Sequence, residues 1–78
     1  MSLFEHVRQT IATTLKVPAA RLTETTSSED LPAWDSLGQV NLVMALEQTF
    51  DLMIEVEDFD HLKSVPAILA YLERQGVR

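Results

Sequence analysis

Apolar residues recur at helical intervals in three stretches of this chain, separated by one long polar connection and one short acidic one. In the first stretch Leu3, Phe4, Val7, Ile11 and Leu15 share a helical face. Ser2 is placed to cap its start, and Glu5 three residues on completes a capping-box pattern. Pro18 marks its expected end, because proline cannot continue a helix interior and restricts the residue before it. Residues 18–35 read as a loop rich in breakers: Pro18, Thr23, Thr25, Thr26, Ser27, Ser28 and Pro32. Leu22 and Leu31 are its expected anchors to the core. Connections of this length in small domains are often functional.

The second helical stretch begins at Asp35-Ser36, two good cap formers, and runs to about Phe50. The acidic stretch 51–63 holds the apolar residues Ile54, Val56, Phe59 and Leu62, and a short helix is expected around 56–62. Ser64 caps a last helix with Val65, Ile68, Leu69 and Leu72 as its stripe, and Gly76 ends it. Period-two alternation is scarce, so little reads as strand.

The second helix has more apolar surface than one core contact needs. With Leu37 set at the origin, Leu42, Leu46, Phe50 and Val43 fall between roughly 140° and 240°. That stripe suffices for a core. Leu37, Val40 and Met44 form a second stripe on another side, flanked by Glu47 and headed by Ser36. Either the loop or the short helix covers this second stripe, or it stands exposed for a partner, as apolar ridges with polar rims do at protein contacts. Helix N-termini favour negative charge, so a phosphate ester on Ser36 would sit in a favourable field.

Composition narrows the function. Seventy-eight residues with no cysteine allow one domain, expected over 1–78, without disulfides, thiolate nucleophiles or cysteine-ligated zinc. A net charge of −6 argues against a nucleic-acid partner. No apolar run is long enough for a bilayer or a signal core, so a cytoplasmic protein with no membrane insertion is expected. From Glu24 to Asp60 there are ten acids and no Lys or Arg, which suits steering of a basic partner. His6 and His61 find no G-x-S-x-G elbow to serve, so a serine hydrolase fails. Asp51 opens a run that resembles a calcium loop, but Met53 and Val56 stand where a ligand and a glycine are required. Two glycines cannot make a phosphate-cradling loop. Met44 and Met53 have packing as their ordinary role.

The run from Trp34 to Leu52, WDSLGQVNLVMALEQTFDL, closely resembles the acyl carrier protein family. The resemblance extends over nearly the whole chain in length, helix order, long first loop, acidic middle and the Ser64-Val65 start of the last helix. It implies an all-α four-helix bundle with a short third helix. It also implies a protein that is not an enzyme. Ser36 matches the attachment serine, which carries 4′-phosphopantetheine taken from coenzyme A by a phosphopantetheinyl transferase with magnesium. The arm's thiol holds acyl groups as thioesters, a role this cysteine-free chain cannot fill itself. Asp35 matches the acid that engages the transferase. Leu37, Val40 and Met44 match apolar docking positions, Glu47 an acidic rim position, and Glu57 and Asp58 the acidic third-helix region. Val43, Leu46, Phe50, Ile54, Leu62, Val65 and Leu69 match core positions. Partners are then acyl- or aminoacyl-loading enzymes and acyl-processing enzymes with basic patches, and the carrier is expected to be a monomer of a fatty-acid, polyketide or related dedicated pathway.

Departures bear on the cargo. Gly38 and Asn41 stand where many fatty-acid carriers have acids, which thins the rim. Gly38 costs about 1 kcal/mol of helix propensity relative to alanine and could admit a partner's backbone. Phe59 replaces a commonly small residue and could fill the space a long acyl chain would use, which points to a short, polar or aminoacyl cargo. Trp34 either marks a specialised carrier or pins the loop. Two other readings stand beside the acyl carrier: an aminoacyl or peptidyl carrier, and an unmodified helical adaptor in which Ser36 is only a cap.

Overall fold

Each α-helix starts on the residue its sequence marks. In the computed structural model, which describes residues 2–77, α1 spans Leu3–Leu15, α2 spans Ser36–Phe50 and α3 spans Val65–Arg74. Ser2 Oγ accepts from Glu5 N at 3.1 Å, Asp35 Oδ1 from Gly38 N at 2.8 Å, and Ser64 Oγ from Ala67 N at 3.1 Å. Each cap satisfies an orphan amide and contributes about 1 kcal/mol. The capping box at Ser2 is only half formed, since the Glu5 carboxylate instead takes Arg8 Nη2 at 2.6 Å.

The ends follow local backbone chemistry more than proline. α1 stops at Leu15, before Pro18, because Lys16 turns into the left-handed region at φ 60°. Val17 N then closes back on Ala12 O at 3.1 Å. α2 ends the same way: Asp51 sits at φ 54° and Leu52 N donates to Glu47 O at 3.1 Å. α3 ends as expected at Gly76, φ 86°, where Gly76 N reaches Glu73 O and Val77 N reaches Leu72 O, a full Schellman pair.

The short third helix forms over Val56–His61, but as a 3-10 helix of six residues. Its closing bonds run over three residues, from Asp58 N to Glu55 O at 2.9 Å and from Leu62 N to Phe59 O at 3.2 Å. Short segments commonly take this tighter form. The fold is therefore the all-α, four-helix arrangement expected. Among the described residues the sole strand-like feature is an isolated bridge between Ser27 and Ser64.

The core is one cluster. α1 supplies Val7, Ile11 and Leu15, α2 supplies Leu42, Val43 and Leu46, and α3 supplies Val65, Ile68, Tyr71 and Leu72. Ile54 and Leu62 close it from either end of the 3-10 helix. Phe50 and Leu69, expected in the core, lie partly buried at its margin, and the Phe50 ring meets that of His6 at 4.7 Å, tilted by 55°.

The first loop carries two single-turn 3-10 segments, at Ala19–Arg21 and Ser28–Asp30. Leu22 and Leu31 are buried as expected, and Trp34 joins them. The loop is also stitched to the start of α3: Ser28 N donates to Lys63 O and Val65 N to Thr26 O, both at 2.8 Å. A long connection becomes a fixed wall of the bundle.

Candidate functional site

The head of α2 separates capping from exposure. Asp35 performs the cap, so the neighbouring hydroxyl of Ser36 has no structural duty, and Ser36 is exposed at the first position of the helix. Its Oγ makes no hydrogen bond among the described residues. The site thus offers a hydroxyl that can be esterified without dismantling the cap, and a phosphate there would face the orphan amides and positive dipole end of a fifteen-residue helix. These features fit a phosphodiester-linked group.

The second apolar stripe is not covered. Leu37 is 70% exposed, Val40 44% and Met44 52%, one behind the other along the outer face of α2. Neither the loop nor the 3-10 helix buries them, so the covered reading fails. Met53 and Val56 are more exposed still, at 85% and 75%. Met53 therefore has no packing role. The helical wheel could not find this pair, because both lie beyond the end of α2.

The acids divide. Glu57 is exposed and unengaged among the described residues. Glu47 turns inward enough for its Oε2 to accept from Ile54 N at 2.9 Å, which pins the chain leaving α2. Asp58 is half-buried and faces α3, where burial of the Tyr71 phenol, and then the Asp58 carboxylate beside it, raise the Tyr71 pKa above its ordinary value. Of the proposed docking acids, Glu57 alone is wholly available, and Glu47 and Asp58 have structural work as well.

Two residues near Ser36 fix the head of α2 against the rest of the chain. Gly38 is buried rather than presented to a partner: a Cβ there would lie 2.5 Å from Ala33 O and 3.1 Å from Leu15 Cδ2. The close approach it permits is to the chain's own loop. Gln39, which sequence reasoning passed over, is buried at the joint of three elements. Its Oε1 accepts from Trp34 Nε1 at 2.6 Å, and its Nε2 donates to Phe59 O at 2.7 Å and Leu62 O at 3.0 Å. The signal was present, since Gln39 falls at about 200° on the α2 wheel, in the middle of the core stripe. The same bond gives Trp34 the loop-pinning role.

A cleft of about 190 Å³ opens beside the serine, lined by Ser28, Trp34, Asp35, Ser36, Gln39 and Lys63. No helix is long and apolar enough to cross a membrane among the described residues.

Comparison with known proteins agrees with this geometry. Residues 5–72 match the family model described as the phosphopantetheine attachment site. The chain is 40% identical to the acyl carrier protein of Campylobacter concisus over 77 residues, covering 97% of this chain and 99% of the relative. It is equally 40% identical to the acyl carrier proteins of Bdellovibrio bacteriovorus, with 97% of each chain covered, and Helicobacter pylori, with 94% of each covered.

Proposed function

This chain belongs to the acyl carrier protein family, and on that premise we propose that Ser36 is its attachment residue and the outer face of α2 its docking surface. The prosthetic group is 4′-phosphopantetheine, which supplies the thiol on which acyl groups are held as thioesters. The observation that carries the assignment is the exposed, unbonded hydroxyl of Ser36 beside a cap made by Asp35.

In the modification step Ser36 Oγ attacks the phosphorus of coenzyme A that bears the pantetheine. A new P–O bond forms at the serine, the pyrophosphate bond of coenzyme A breaks, and adenosine 3′,5′-bisphosphate leaves. The serine proton passes to a base of the transferase. Asp35 holds the helix end throughout and presents an acid to that enzyme.

Leu37, Val40 and Met44 supply the apolar contact for partner enzymes, with Glu57, and in part Glu47 and Asp58, as the acidic rim. Partners with basic patches are steered by the acidic middle of the chain and released quickly from so small a contact. Phe59 packs against the core from the 3-10 helix, and the cleft beside Ser36 carries Asp35, Gln39 and Lys63 on its lining beside the Trp34 ring. Both favour a short or polar cargo of a dedicated pathway over a long chain sequestered in the bundle.

The test is intact mass after incubation with coenzyme A, magnesium and a broad-specificity phosphopantetheinyl transferase. One phosphopantetheine is expected on the wild type and none on Ser36→Ala. A folded wild type that stays unmodified while a control carrier is converted would favour the adaptor reading.

A further inference from the structure

The cleft beside Ser36 has on its rim a basic residue, Lys63, that attachment and docking do not use. Lys63 is the first base after the long acidic stretch that begins at Glu24. Its backbone is fixed against the first loop, because Ser28 N donates to Lys63 O at 2.8 Å and the next residue, Ser64, bridges Ser27. Lys63 is on the lining of the same cleft as Ser36, and its side chain is half exposed. The partner of its ammonium among the described residues, Asp60, stands at 3.7 Å with its carboxylate almost fully in solvent. Such a pair is weak and leaves the ammonium able to turn towards a better anion.

The other walls are rigid. Gln39 and Trp34 are held by their mutual hydrogen bond and by the two carbonyls beyond it. Asp35 is the one acid on the lining, and its Oδ1 is engaged by Gly38 N. An anion entering the cleft is therefore favoured on the Lys63 side. Size sets the second limit. About 190 Å³ is less than the ~300 Å³ at which pockets begin to hold drug-sized ligands. The first groups of a chain leaving Ser36 fit, and a whole arm with its cargo does not.

We propose that this cleft seats the base of the phosphopantetheine arm, with the Lys63 ammonium pairing its phosphodiester and the thiol end left in solvent. The proposal rests on Ser36 being the attachment residue. The seat restricts the directions in which the arm leaves the bundle while keeping the cargo accessible to partners.

The test uses isotope-labelled full-length protein before and after conversion, with conversion read independently by intact mass. In the wild type, the amides of Ser28 and Lys63, the Trp34 indole N–H and the Gln39 carboxamide are expected to shift along with the residues flanking Ser36. In Lys63→Gln and Lys63→Glu the cleft shifts are lost, while the mass gain and the shifts flanking Ser36 remain. The neutral variant separates loss of the cation from repulsion by a new carboxylate. Wild-type shifts confined to the flanks of Ser36, or cleft shifts that persist in both variants, would overturn the seat and leave the carrier reading intact. A wild type that gains no mass removes the seat together with the reading beneath it.

Discussion

The two apolar faces of α2 use similar residues and end in opposite surroundings. Leu42, Val43 and Leu46 lose essentially all contact with water, whereas Leu37, Val40 and Met44 keep roughly half or more of theirs. Burial of a large aliphatic side chain contributes about 1.5–3 kcal/mol, so the inner face holds the bundle together. The outer face leaves the same driving force unrealised until another surface covers it. Hydrophobicity along a helix thus states how much surface seeks cover, and the neighbouring elements decide which part finds it within the chain. Here the first loop, anchored by Leu22, Leu31 and Trp34, closes on one side only, and Gly38 lets it come close enough to do so.

The comparison breaks most visibly under truncation. Leu46→Ala should cost about 2–5 kcal/mol in urea denaturation, a large share of the stability of a domain this small. Met44→Ala should stay within about 0.5 kcal/mol of the wild type. Equal costs would mean that both faces belong to the core.

Gly38→Ala sharpens the same contrast from the backbone side. Propensity alone predicts a gain of about 1 kcal/mol. The contact with Ala33 O at 2.5 Å predicts a net loss instead, of about 1–3 kcal/mol as for other overpacked sites. A raised melting temperature would contradict that contact. The smallest effect on the fold is expected for Leu37→Asp, which should melt like the wild type. Its conversion by the transferase should nevertheless slow about tenfold, the loss typical of an exposed residue that becomes a contact anchor. Unchanged conversion kinetics would remove Leu37 from the docking surface.

Much of this arrangement was legible in the chain. Caps at Ser2, Asp35 and Ser64 were readable because short polar side chains at helix starts have one dominant use. The wheel of α2 separated its two stripes. What it could not supply was the third dimension: whether the loop covered Leu37, Val40 and Met44 depended on where a connection without periodicity would lie. Left-handed turns at Lys16 and Asp51 were missed because lysine gives no signal for that backbone and aspartate, though it visits it, does so too seldom to mark a site. Gln39 was missed for a different reason. Its place in the core stripe was computable, but a polar residue there is stable only when its partners are known, and Trp34, Phe59 and Leu62 come from two other segments. The inward turn of Glu47 and Asp58 likewise depends on groups that only the fold brings near, Ile54 N and Tyr71.

Because the chain has no cysteine, any thiol it gains must come from an attached group. The most direct test of the account is therefore thiol titration of the purified protein after treatment with coenzyme A, magnesium and a phosphopantetheinyl transferase. One reactive thiol per wild-type chain and none on Ser36→Ala are expected, with both proteins equally folded. A wild type without a thiol, or a thiol that persists on the variant, would contradict it.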